Sequence, residues 1–249
     1  MKLKEDSSVA TSFEKAARTY WEHATVQAAL GQWLSDWLPR RHEGRALEIG
    51  AGPGLFTRLL VPWTGYLRAT DVSPAMCEAG RRRVPAAEWR RMAAELPDKG
   101  PWDFVFSCGM LQWVRDPEEV FAAWKAELAP GGRIVAALFA SESLPELREV
   151  MGEEGPVRWR TPEAWRASAE AAGLRVLRDA AERRVIRFPS AMDLMRNLHR
   201  VGAAPERRWS SARMRRFLRD YQARHGTDQG VRVTWTFYRI EAERGDGRA

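Results

Sequence analysis

Cysteine is scarce in this sequence: only Cys77 and Cys108 occur, far apart and outside any Cys-x-x-Cys pattern. A disulfide framework and a zinc site of the usual spacing are therefore excluded. Histidine is nearly as rare. His23, His42, His199 and His225 form no ligand pair at helical spacing, so no metal is expected. No run of about 18 apolar residues occurs, so no membrane span is expected. The N-terminus is polar and charged and carries no apolar segment of signal type, which points to a cytoplasmic protein. Internal repeats and low-complexity linkers are also missing.

What is present fits one α/β domain over residues 1–249. Apolar residues make up 45% of the chain, enough for a sizeable core, and 12 Trp with 29% charged residues argue against disorder. The net charge of +7 is concentrated: residues 200–224 hold eight Arg against Glu206 and Asp220. Such a segment is either a solvated helix face or a docking surface for an acidic partner, protein or nucleic acid.

Along the chain, apolar residues at helical period predict an N-terminal helix over 13–38. Strand and helix signals then alternate. Strands are expected at 45–49, 66–70, 88–91, 103–107 and 133–138, with helices between them, one starting at 54 and one capped by Ser73-Pro74. This alternation predicts a doubly wound, mostly parallel sheet of seven strands, with residues 45–138 as its cofactor-binding core. An insert at 139–160 follows, with a short helix at 141–151. A strand at 174–177 and another at 230–241 bracket two helices, which form a helical lid over 186–228. Met192 and Met195, at helical spacing, read as core.

The chemistry-bearing motif is Glu48-Ile49-Gly50-Ala51-Gly52-Pro53-Gly54, placed after a strand and opening a helix. Glycines there allow positive φ and close approach of backbone to a ligand. A helix N-terminus offers free N–H groups to a carboxylate or phosphate. Asp71 lies 21 residues after Gly50, at a strand end, where an acid accepts both ribose hydroxyls of a nucleoside. The dinucleotide fingerprint is Gly-x-Gly-x-x-Gly. Here the third glycine comes one residue early, at Gly54.

The form Glu-x-Gly-x-Gly-x-Gly resembles motif I of the class I S-adenosylmethionine-dependent methyltransferases. Asp71 to Met76, Trp102 to Ser107, Leu128 to Ile134 and Glu95-Leu96-Pro97 resemble further motifs of that superfamily. The resemblance implies S-adenosylmethionine as cofactor. It implies contacts from Glu48, Gly50, Ala51, Gly52, Gly54, Asp71, Val72, Met76, Ala93, Ala94, Glu95, Ser107, Gln112 and Trp113. The family often has Asp three residues before the Glu of the adenine-side loop; this chain has Met92, so backbone around Ala93 and Ala94 would serve there.

Four further segments are similar to the malonyl-carrier-protein O-methyltransferases of biotin synthesis. They are Phe13 to Gln27, Gly109 to Pro117 (with Cys108 in place of a more usual Asn), Leu144-Pro145-Glu146-Leu147-Arg148, and Ala191 to Ala203. The strand opening Gly230-Val231-Arg232-Val233-Thr234 is similar as well. The resemblance implies methylation of a malonyl carboxylate on acyl carrier protein, with Arg148 as the carboxylate clamp and Tyr20 in the pocket. Arg148 could equally be an exposed helix arginine, and Tyr20 a core tyrosine. Arg196, Arg200, Arg207, Arg208, Arg215 and Arg216 would then meet the acidic carrier protein. A monomer is expected, with no nucleic acid and no membrane partner. A neighbouring subfamily acting on small acids such as trans-aconitate shares the Leu111-Gln112-Trp113 stretch and is the alternative. A nucleic-acid-modifying protein is a further one, without an Asn/Asp-Pro-Pro-Tyr motif to support it.

Overall fold

A computed structural model of the chain describes residues 7–38, 41–152, 157, 159–203 and 209–245. Five parallel strands come first: β1 (His42–Ile49), β2 (Thr64–Asp71), β3 (Glu88–Arg91), β4 (Trp102–Cys108) and β5 (Leu128–Phe139). Then come β6 (Leu174–Phe188), a two-residue β7 (Gly226–Thr227) and β8 (Gly230–Arg244). The sheet order is β3-β2-β1-β4-β5-β8-β6, with β7 beside β8. β8 runs antiparallel to both β5 and β6. The doubly wound, mostly parallel sheet of seven strands is thus present, and β7 adds a short eighth.

Alternation along the central strands explains why both faces of the sheet are covered. Phe104 and Phe106 of β4 face one apolar cluster, while Val105 faces the other. Strands buried on both sides lose the polar-apolar alternation of a half-exposed sheet. Trp63 meets Phe104 and Phe106 edge-on at 4.9 and 5.2 Å, which locks that layer.

Three expected elements differ. The single helix at 13–38 is three: α1 (Ser7–Ala16), α2 (Tyr20–His23) and α3 (Thr25–Ser35). The chain breaks after α2 because the His23 carbonyl accepts a bond from Asn197 Nδ2 (2.8 Å) and Ala24 turns out of helical geometry, at ψ 49°. Thr19 Oγ1 donates to the Arg200 carbonyl at 2.9 Å, so tertiary partners replace helical ones. The helix expected from residue 54 is only α4 (Thr57–Leu60), because positive φ at Gly52 and Gly54 keeps the preceding turn open.

The strand expected at 174–177 continues to Phe188 and pairs with β8 along its whole length. Residues 178–187 lack an apolar alternation because β6 is an edge strand, held from one side only. Its charges pair across the ladder, as Arg178 does with Glu241 (2.6 Å) and Arg175 with Glu243.

The remaining helices are α5 (Pro74–Arg83), α6 (Pro117–Ala126), α7 (Pro145–Met151), α8 (Pro162–Ala171), α9 (Ala191–Arg200) and α10 (Ser211–His225). Side-chain oxygens of Ser73, Thr161, Ser190 and Ser210 cap α5, α8, α9 and α10. On α9 Met195 packs against the core, but Met192 is 38% exposed and is not a core residue. No described helix is long and apolar enough to cross a membrane.

Candidate active site

The sheet order turns back between β1 and β4, and there the strand ends splay to leave a crevice. The β1 end is pinned from both sides. Thr70 Oγ1 donates to the Glu48 carbonyl (2.7 Å), and Ser107 Oγ to the Ile49 carbonyl (2.9 Å). Beyond it Gly50 (φ 73°) and Gly52 (φ 55°) bend the chain through the left-handed region. A side chain at Gly50 would collide with Met110, its Cβ 2.4 Å from Met110 Cγ. A Cβ at Gly52 would meet no protein atom within 4 Å.

The loop frames a cavity lined by Glu48, Gly50, Ala51, Gly52, Asp71, Val72, Met76, Ala93, Ala94, Glu95 and Trp113 among the residues expected from sequence. Tyr20 lines it too. Three expected residues do not reach it. Gly54 faces Val84 and Trp89 instead, so its glycine serves packing. Ser107 is fully buried between strands, its hydroxyl spent on Ile49. Gln112 lies on a second cavity and donates to the Gly109 carbonyl at 2.6 Å. Residues the sequence did not single out as lining include Leu55, Phe56, Met92, Cys108, Met110 and Val114. No spacing rule marks them, because apolar side chains serve core and pocket alike.

The electrostatics are set by burial. Glu48 is 1% exposed, and burial pushes its carboxyl up to about 8. One of its oxygens, Oε2, has no hydrogen-bond partner among the described residues. Burial also raises Asp71, to about 6, against the N–H groups of Ser73 and Gly52, which donate to its oxygens at 2.9 Å each. Burial, with Cys108 and Asp71 nearby, lifts the Tyr20 phenol well above its ordinary range. Tyr20 is therefore a neutral hydroxyl at any ordinary pH, able to donate a hydrogen bond but not to act as a base.

The second cavity adjoins the first. Phe13, Tyr20, Gln27, Gly109 and Trp113 line both. Its other walls are mostly apolar, and Arg148 is the one cation among its described lining residues. Arg148 has no carboxylate partner among the described residues; the Trp159 ring lies 5.8 Å from its Cζ. α7, which carries it, is fastened to β8. Leu144 donates its N–H to the Thr234 carbonyl (2.7 Å), and Glu146 accepts from Thr234 N (3.0 Å) and Oγ1 (2.5 Å).

Of the arginines expected to meet a partner, Arg196, Arg200, Arg215 and Arg216 are exposed on α9 and α10. Arg207 and Arg208 lie outside the described residues.

Comparison with known proteins agrees with this geometry. A methyltransferase-domain family model matches residues 20–206. A malonyl-(acyl-carrier protein) O-methyltransferase of Porphyromonas gingivalis is 30% identical over 234 residues, 90% of each chain. That of Alcanivorax borkumensis is 31% identical and covers 95% of this chain and 86% of its own. The chain belongs to this methyltransferase family. In fold it is similar to the YcgJ protein of Bacillus subtilis, with a TM-score of 0.66 and 16% identity, over 88% of this chain and 99% of that one.

The methyltransferase uses S-adenosylmethionine, and the first cavity fits that molecule on observations of its own. Asp71 ends β2, where an acid meets ribose hydroxyls, and each of its oxygens keeps a lone pair beyond its backbone bond. Glu48, a buried carboxyl with one oxygen unpaired among the described residues, lines the same cavity, as a cationic ligand would favour. The open space above Gly52 is the room that a Cβ would fill. Val72, Met76 and Met92 give an apolar wall suited to an adenine ring. Among the described residues no group of His, Cys, Asp and Glu could hold a metal ion.

Proposed function

We propose that this methyltransferase esterifies the free carboxylate of a malonyl group carried by an acidic acyl carrier protein, the methyl-ester step of biotin synthesis. The observation that carries this reading is Arg148: a guanidinium with no acid to pair with among the described residues, in a mostly apolar cavity that shares walls with the first cavity. A planar guanidinium holds a carboxylate bidentately. The named relatives act on the malonyl carrier protein, and they support the same acceptor here.

The bound cofactor supplies a methyl group already activated on a positive sulfur. A carboxylate is ionised at neutral pH, so no general base has to be found. Transfer of that methyl to a carboxylate oxygen, with the neutral sulfide as leaving group, would require no proton to move. The residues therefore orient and exclude water. Arg148 holds the carboxylate and leaves an oxygen lone pair free for the attack. Tyr20 and Trp113, on the shared wall, line the approach. α9 and α10 form the lid, and their exposed Arg196, Arg200, Arg215 and Arg216 steer the carrier protein to a cytoplasmic monomer.

The test is transfer of a labelled methyl group to malonyl carrier protein, with trans-aconitate and malonyl-coenzyme A as competitors. Preferential labelling of the carrier protein is expected. Equal turnover of the free acid would overturn the assignment.

A further inference from the structure

A cofactor in the first cavity and an acceptor carboxylate in the second meet at the wall the two cavities share: Phe13, Tyr20, Gln27, Gly109 and Trp113. Arg148 lines the second cavity only. The charges restrict what a polar group on the shared wall is able to be. A cation there would repel the sulfonium. An acid there would repel the acceptor carboxylate and compete with it for the sulfonium. A neutral hydrogen-bond donor is tolerated by both.

Gln27, on α3, is such a group. Gln32 donates its amide to Ser35 Oγ (3.1 Å), Gln112 donates to the Gly109 carbonyl (2.6 Å), and Gln222 accepts from Ala191 N (3.4 Å). The Gln27 amide bonds to no described residue. The side chain is half-buried, and neither amide atom is sealed away, as Oε1 of Gln112 is. Its direction follows from the helix. Gly31, one turn on, shares its face. A Cβ at Gly31 would stand 3.4 Å from Phe56 Cδ2 and 3.8 Å from Cys108 Sγ, and both residues line the first cavity. Gln27 thus faces the end of β4, where Cys108 walls the first cavity and Gly109 walls both. The Tyr20 and Trp113 rings bring donors to the same wall, but both pack on Phe13, at 6.3 and 5.4 Å, so their direction is fixed. The amide is free to turn with its side chain.

We infer that Gln27 is a substrate-binding residue: its side-chain N–H donates to the acceptor carboxylate where the cavities meet, while Arg148 holds that carboxylate from the second cavity. This rests on the proposed carboxylate acceptor and adds a second, uncharged anchor to it. Two anchors on one carboxylate fix its rotation, and so fix which oxygen lone pair is turned to the methyl group.

Gln27→Leu keeps a similar size and removes the donor. At saturating cofactor, kcat/KM for malonyl carrier protein should fall about ten-fold or more, the loss of a hydrogen bond to a charged group. S-adenosylhomocysteine affinity and Tm should stay at the wild-type level. Gln27→Glu gives the signature that a structural role would not. Ionised, it repels the acceptor and should be slower than Gln27→Leu at about pH 8; protonated, its O–H donates as the amide does. Its kcat/KM relative to wild type should therefore rise as pH falls toward about 5, while the Gln27→Leu ratio stays flat. Gln32→Leu, at an exposed position of the same helix, should match wild type. A Gln27→Leu enzyme within two-fold of wild type overturns the inference, as does a flat Gln27→Glu ratio or a loss confined to S-adenosylhomocysteine affinity. If Gln27→Leu melts early, the Gln27→Glu ratio decides. A wild-type enzyme inactive on malonyl carrier protein would remove the proposed acceptor, and this inference with it, before any variant is made.

Discussion

The Gly52 amide and the Asp71 carboxylate are joined by a 2.9 Å hydrogen bond that ties the glycine loop to the end of β2. One bond thus couples two strand ends that line the same cavity. Asp71→Asn keeps the shape and removes the charge. The affinity for S-adenosylhomocysteine should drop by roughly ten- to a hundred-fold, since bonds to a charged acceptor contribute about 1.5–3 kcal/mol. Calorimetry checks this, and an unchanged Kd would remove Asp71 from the ribose site.

Arg148→Ala should lower kcat/KM for the malonyl substrate by a hundred-fold or more, on the order of 3 kcal/mol, while cofactor binding persists. Arg148→Lys should recover only part of it, because an ammonium is a point charge without the fork. Steady-state kinetics beside a cofactor titration would separate these effects, and full activity in Arg148→Ala would exclude the clamp.

Glu48 gives a pH dependence whose sign follows from burial. Its folded value of about 8 lies above the ordinary 4.5, so the native state holds the proton more tightly than the unfolded chain. This contribution to stability is complete below about pH 4.5 and disappears as pH rises through about 8. Ligand-free Glu48→Gln, which cannot ionise, should therefore melt above wild type at pH 8–9, with a gap on the order of a few kcal/mol. The same variant should bind the cationic cofactor more weakly at high pH. Parallel melting curves without such a gap would contradict the buried carboxyl.

Two glycines of one loop should respond differently. Gly54→Ala places a Cβ 2.9 Å from Val84 Cγ2 at φ 101°, so it should cost roughly 2–3 kcal/mol of stability. Gly52→Ala meets open space, at a φ that costs an alanine about 1 kcal/mol. Its main effect should be on cofactor affinity. Denaturant melts and cofactor titrations of the two variants would show the contrast.

Charge reversal at Arg215 and Arg216 should raise KM for the carrier protein several-fold at low salt and little at high salt, since screening removes the attraction. Cofactor affinity should not change. A salt-independent KM in the wild type would exclude electrostatic steering.

The parts legible in the sequence were those with a local signal. Gly50, Gly52 and Asp71 stand at fixed spacing around a strand–loop–helix unit, and the alternation of strands and helices gave the sheet. Long-range partners left no such trace. β6 continues beyond residue 177 because β8 supplies a ladder more than forty residues away. The N-terminal helix breaks because Asn197 and Arg200 satisfy its ends. Gly54 and Ser107 belong to motifs that meet the cofactor in the family, but their groups are spent inside the fold, on Val84 and Ile49.

The bonds from Thr19 to Arg200 and from Asn197 to His23 span 181 and 174 residues. During synthesis the segment that walls both cavities emerges before α9 and lacks these two bonds until α9 follows. Contacts so distant in sequence close last. The pocket therefore matures from its floor upward: the glycine loop comes early, and the second cavity is walled in only once α9 has been made.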